Sequence, residues 1–256
     1  MFEFGLNDLA VLLPFIVIGF AAQAVDGALG MAFGVITNTM LVGLMGVPPA
    51  QASARVHVAE CFTTAASGLS HLYHGNIDFR LFSKLVIPGV IGGVGGVFLI
   101  SNIDGDIIKP FVLAYLAFIG IWLLVRGLLY PPKIKKARFV SPLGLVGGFL
   151  DAVGGGGWGP VVTSNLLFQG GDPRKVIGTV NSAEFFLTVA ISSAFIFNLG
   201  FTDLLGPTLG LLIGGVFAAP FGAMIAKYLK PRLILIMVGV VLIVTSGVAI
   251  ASQFWA

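Results

Sequence analysis

Six polar side chains, His57, Glu60, Thr64, Ser67, His71 and His74, follow one another at spacings of 3, 4, 3, 4 and 3 residues, which places all of them on one face of a helix. That stripe holds every histidine of the chain. A later stretch repeats its upper part as Asn181, Glu184 and Thr188, without the imidazoles. A carboxylate beside an imidazole can pass a proton or hold a cation, because imidazole changes charge near neutral pH. The competing reading is a hydrogen-bonded strut between helices, since buried ionisable groups also form static networks. Arg55 stands two residues before His57. A guanidinium is planar and permanently charged, so it suits two-point capture of a sulfonate or carboxylate, or else anchors at a headgroup surface.

Two broken, glycine-bearing segments supply the complementary chemistry: Asp26-Gly27-Ala28-Leu29-Gly30, and Asp151-Ala152-Val153-Gly154-Gly155-Gly156-Gly157 followed by Trp158-Gly159-Pro160. Glycine lets a ligand come close to backbone N–H groups, and the ends of broken helices favour an anion. The same glycines also serve tight helix packing. Candidate substrate-binding residues are Arg55, His57, Gln23, Asn38, Gly155, Gly156, Gly157, Trp158, Asn165 and Asn181. Glu60, Glu184, Asp26 and Asp151 are candidates to carry a coupling proton, with helix capping the plainer role for the two aspartates.

These residues must be held by helices that face lipid. Hydrophobic residues make up 57% of the 256 and charged residues 10%, against about 25% charged in a soluble domain. Six stretches have the length of a membrane-spanning helix: Ala52–Tyr73, Leu81–Ser101, Ile107–Tyr130, Val176–Leu199, Asp203–Ala226 and Pro231–Trp255. Two others, Leu9–Met45 and Val140–Phe168, are apolar but broken in the middle, which membrane depth tolerates only where protein or a water-filled cavity surrounds the break. With Glu3 and Asp8 and no basic residue ahead of it, the first segment is expected to be retained rather than cleaved. Cys61, the single cysteine, reads as a small buried thiol. No metal-ligand motif, nucleophile elbow or phosphate loop occurs, so neither an enzyme, a metal site nor a cofactor is expected, and nothing points to nucleic acid.

The halves resemble each other. Gly34-Val-Ile-Thr-Asn-Thr-Met-Leu matches Pro160-Val-Val-Thr-Ser-Asn-Leu-Leu, Ala59-Glu60-Cys61-Phe62 matches Ala183-Glu184-Phe185-Phe186, and Lys109-Pro110 matches Lys230-Pro231. Counting basic residues then discriminates between two threadings. If each broken segment crosses once, the 14 Lys and Arg divide seven to seven. If each goes in and returns as a hairpin, twelve share one side and only Arg55 and Lys109 lie on the other. The second threading predicts an all-α polytopic membrane protein with both termini outside the bacterial cytoplasmic (inner) membrane. It contains two inverted repeats. The first spans 1–130, with a hairpin at 9–45 and helices at 52–73, 81–101 and 107–130; a basic cytoplasmic linker covers 131–139. The second spans 140–256, with a hairpin at 140–168 and helices at 176–199, 203–226 and 231–255. The expected partners are a small anion, a coupling proton and the bilayer. Gly92-Gly93 and Gly95-Gly96 mark a close helix contact within one monomer or between two.

The duplicated glycine-rich segment, the Pro-containing turns Gly46-Val-Pro-Pro and Gly171-Asp-Pro, and the helix opening Ile177-Gly178-Thr179 resemble the TauE/SafE sulfite-exporter family over nearly the whole chain. The resemblance implies export of a small sulfur-containing or carboxylate anion, such as sulfite or an organosulfonate, driven by the proton gradient, and it adds Thr179 to the candidate site. The first half departs from the family's small Gly-Thr-Ser element, reading Ser53-Ala54-Arg55-Val56-His57. The extra cation and imidazole suit a larger dianion such as sulfoacetate. An anion channel, and an intramembrane enzyme or accessory subunit using His57, Glu60 and Glu184, are the rival readings.

Overall fold

The computed structural model describes residues 6–29, 31–129, 138–163, 165–166, 169, 173–200, 208–218 and 231–255, and its order is helical throughout, with no strand among them. The basic linker expected at 131–139 and the Gly171-Asp-Pro turn fall largely outside the described residues, as do both ends of the span expected at 203–226. Nine α-helices are described: α1 (Leu6–Leu29), α2 (Phe33–Thr39), α3 (Pro49–Tyr73), α4 (Phe79–Ser101), α5 (Gly105–Leu128), α6 (Val140–Gly154), α7 (Pro173–Leu199), α8 (Thr208–Ala218) and α9 (Pro231–Trp255). Proline opens α3, α7 and α9, where its missing N–H costs nothing. Asp78 caps α4 by accepting from Arg80 N and Leu81 N at 2.9 and 3.1 Å.

Both broken segments fold as helix, break and return, and each return leg carries a π-helical turn, Met40–Leu44 in the first and Trp158–Thr163 in the second. Such turns are rare and concentrate at functional positions. The outgoing legs differ. With 15 residues, or about 22 Å, α6 is too short to cross a bilayer, whereas α1 with 24, or about 36 Å, is long enough. Helix α1 gains its length upstream, because Asn7 and Asp8 do not stop it.

The large apolar side chains point outward along the helices. Phe98, Phe111, Phe118, Phe197 and Phe217 are all exposed, in positions that would be costly in water and suit lipid. Three helices among the described residues, Phe79–Ser101, Gly105–Leu128 and Lys175–Leu199, are apolar and long enough to cross a membrane. Polar residues on α3 turn inward instead: His57, Thr64 and Glu60 are buried. The architecture is that of a multi-pass membrane protein.

Helices pair across the halves, with α3 against α7, α5 against α9, α4 against α6, and α1 against α8. Glycine permits the last two contacts. A methyl at Gly92 would strike the Leu145 carbonyl, one at Gly148 the Gly89 carbonyl, and one at Gly214 the Ile16 carbonyl. Gly92, Gly93 and Gly96 therefore make contacts within the chain, while no described atom lies within 4 Å of a methyl at Gly95. Gly92→Ala is expected to lower the thermal stability of the purified protein by about 1–3 kcal/mol, the usual cost of overpacking, while Gly95→Ala leaves it unchanged; equal melting curves would contradict the packing.

Candidate functional site

The two breaks meet. A methyl at Gly34 would lie 2.7 Å from Gly156 Cα, one at Gly159 would lie 2.6 Å from Met31 Cβ, and Gly155 is covered by the Asn38 side chain. Asn38 Nδ2 donates to the Gly154 carbonyl at 2.5 Å, and Ser53 Oγ on α3 donates to the Ala152 carbonyl at 2.6 Å. Gly155, with φ 61°, lets the chain turn out of α6 in the left-handed region that side chains avoid. Trp158, fully buried, fixes the far side by donating its indole N–H to the Val180 carbonyl at 3.2 Å.

Each break is tied by its own aspartate. Asp26 Oδ1 accepts from Phe33 N at 3.2 Å, and Asp151 Oδ1 accepts from Gly157 N at 2.6 Å and Trp158 N at 2.9 Å. Both links to the return leg, Asp26 to Phe33 and Asp151 to Trp158, span seven residues. The capping role foreseen for these aspartates is thus present. Asp151 does more, because its other oxygen lies 3.1 Å from Nε2 of the buried His57.

Between the tips lies a small polar cavity of about 10 Å³, room for roughly one water molecule. Four carboxylates line it, Asp26 from α1, Glu60 from α3, Asp151 from α6 and Glu184 from α7. Glu60 Oε2 has no hydrogen-bond partner among the described residues. The four residues singled out as proton carriers, scattered over 158 positions from 26 to 184, are thus gathered at one point. Below them Thr64 Oγ1 stands 3.5 Å from its counterpart Thr188 Oγ1, and Asn181 donates to Ser67 Oγ at 3.0 Å.

Other candidates lie elsewhere. Arg55, two residues from His57 and so on another face of α3, does not line the cavity; its Nη2 donates to Gln51 Oε1 at 3.3 Å. Thr179 accepts from Asp78 N at 2.8 Å beside the α3–α4 turn. Asn165 donates to the Val161 carbonyl and accepts from Arg126, which stacks over Trp122 at 4.3 Å. Gln23 is buried with its carbonyl oxygen unpartnered, outside the cavity lining. Cys61 is half-buried and meets Ser192 Oγ at 3.4 Å.

Tyr115 on α5 was not foreseen. Its hydroxyl has no hydrogen-bond partner, and a methyl at Gly157 would lie 2.5 Å from that oxygen. The sequence held a signal: a tyrosine at the centre of an apolar span rather than at its ends, where membrane tyrosines gather.

Comparison with known proteins gives the family. Residues 15–249 match the family model described as sulfite exporter TauE/SafE. The chain is 41% identical over 254 residues to the "Probable membrane transporter protein YtnM" of Bacillus subtilis (strain 168), covering 96% of this chain and 84% of that one. It is 25% identical over 246 residues to the "Probable membrane transporter protein ORF9" of Sinorhizobium sp, covering 91% and 92%. No solved structure matches. With a family match across nearly its full length and a multi-pass helical fold around a polar crossing, the chain belongs to the sulfite exporter TauE/SafE family and is a membrane transporter, not an enzyme.

Proposed function

We propose that the chain exports a small anion, sulfite or an organosulfonate such as sulfoacetate, across the bacterial inner membrane in exchange for proton entry, by alternating access about the crossing of its two hairpins. The observation that carries this reading is the ring of Asp26, Glu60, Asp151 and Glu184 around a cavity with room for one water. An anion cannot share so small and poorly solvated a space with ionised carboxylates, because like charges there repel strongly. Protons must therefore accompany its binding. A cavity with room for one water also suits alternating access better than a channel, which needs a continuous polar path. The exchanged pairing of α4 with α6 and of α1 with α8, and the matched aspartate ties, support inverted repeats. The excess of basic residues in the loops supports an orientation with both termini outside.

The test is thermal stabilisation of the purified protein by sulfite, sulfate, taurine, sulfoacetate and a dicarboxylate, since a ligand that binds only the folded state raises its stability. Stabilisation by a sulfur oxyanion or sulfonate is the expected result, whereas stabilisation by sodium alone would overturn the anion assignment. Arg55 stands outside the cavity, so Arg55→Ala separates two roles. An unchanged midpoint of stabilisation would exclude Arg55 from the closed site, and a shift of about tenfold, or 1.4 kcal/mol, would make it an entry residue that meets the anion in an open state.

A further inference from the structure

His57 fixes a proton count. Its Nδ1 lies 2.7 Å from the Ser53 carbonyl oxygen, which can only accept, so Nδ1 carries hydrogen. Its Nε2 lies 3.1 Å from Asp151 Oδ2, and a hydrogen bond there needs one further proton. That proton sits on Nε2, facing a carboxylate, or on Oδ2, facing a neutral imidazole. Either way the pair holds one exchangeable proton and no net charge. The other Asp151 oxygen takes the N–H groups of Gly157 and Trp158. All three groups, the two N–H donors and the imidazole, are therefore held by a carboxyl that belongs to the protein, 2% exposed against a fully buried imidazole. The device is built once. Asp26 ties its own hairpin in the same way, but the residue matching His57 in the second half is Asn181, which donates to Ser67 instead. Beside the pair, Glu60 directs an unpartnered oxygen, in a residue 5% exposed, toward the same cavity.

We propose that Asp151 is a tethered stand-in for the acid group of the substrate. The incoming anion takes its place on His57 and on the two N–H groups, and Asp151 withdraws as a neutral acid after taking one proton from the side of entry. An O–H bond forms on the carboxylate, the proton comes from water on that side, and no bond of the substrate breaks. Imidazolium and substrate anion then balance, so one proton is bound for each negative charge admitted. This inference rests on the anion reading above and deepens it. Other titratable groups also face Asp151, namely Asp26 from α1, Glu60 from α3, Tyr115 from α5 and Glu184 from α7. Only a difference between two proteins isolates the contribution of Asp151.

The experiment is calorimetric titration of the full chain in detergent with methanesulfonate, whose charge does not change with pH. Two buffers free of sulfonate and differing in ionisation enthalpy give the protons taken up per anion. The unsubstituted protein is expected to take up about one proton per anion at about pH 8, its affinity falling about tenfold per pH unit above neutrality, and its infrared difference spectrum on binding gains a protonated-carboxyl band that the Asp151→Asn spectrum lacks. A carboxyl band of equal size in both proteins would overturn the inference and leave the anion reading standing. If neither binds methanesulfonate, sulfite or sulfoacetate, both fall together. Should the variant not fold, the unsubstituted protein decides alone: its infrared difference spectrum on binding gains a protonated-carboxyl band, and the absence of that band refutes the proposal.

Discussion

Glu60→Gln is expected to cut proton-driven anion flux sharply while sparing anion exchange. Glutamine matches glutamate in shape, so the contact with Gly34, whose methyl would lie 3.0 Å from Glu60 Oε1, survives the change. What is lost is one of the four carboxyls lining the cavity, and with it one site at which a proton can be gained and released there. Proteoliposomes with an imposed pH gradient should show flux reduced more than about tenfold, since a few kcal/mol of like-charge repulsion then no longer depends on pH. Counterflow at equal pH should continue. Glu184→Gln should behave alike, because Glu184 matches Glu60 in the duplicated sequence and lines the same cavity from α7. Heat stability should not fall, as removing a buried carboxylate with an unpartnered oxygen relieves a desolvation cost of about 1–3 kcal/mol. Proton-driven flux at the parental rate in both variants would mean that these carboxylates are struts after all.

Much of this site was legible because helical spacing survives folding. The 3 and 4 residue steps that put His57, Glu60 and Thr64 on one face of α3 also bury them together, and the matched stretch brings Glu184 and Thr188 to meet them from α7. The two glycine-rich breaks were recognisable by composition, and their crossing follows from the need to enclose broken backbone at membrane depth. The partner of His57 was not legible. Sequence proximity suggested Glu60, three residues on, whereas the imidazole reaches Asp151 across 94 residues, a pairing set by how α3 packs on the second hairpin. Arg55 lies apart from the cavity for a related reason: proximity in sequence to His57 is distance around the helix, and it turns to Gln51. The unequal outgoing legs were hidden as well, because hydropathy places the break but not the point upstream where a helix begins.

Gly156→Ala should do the greatest damage of any single methyl added at the described glycines. Its φ of 152° lies in a region that side chains avoid, and the new Cβ would fall onto the backbone of Gly34 and Val35 in the other hairpin. A flexible side chain could swing aside, but a backbone held by the Phe33–Asp26 tie cannot. Gly46→Ala provides the measure of strain alone, since Gly46 has φ 68° and nothing within 4 Å of an added Cβ. It should cost about 1–2 kcal/mol, the ordinary penalty of left-handed backbone, and leave transport intact. Gly156→Ala adds crowding to strain, so a total of at least about 3 kcal/mol is expected. Melting temperature and transport would then fall together, because the tips that must part and rejoin can no longer close. If Gly156→Ala melts and transports like Gly46→Ala, the hairpins do not touch in the working protein, and the crossing cannot be where protons and anion are exchanged.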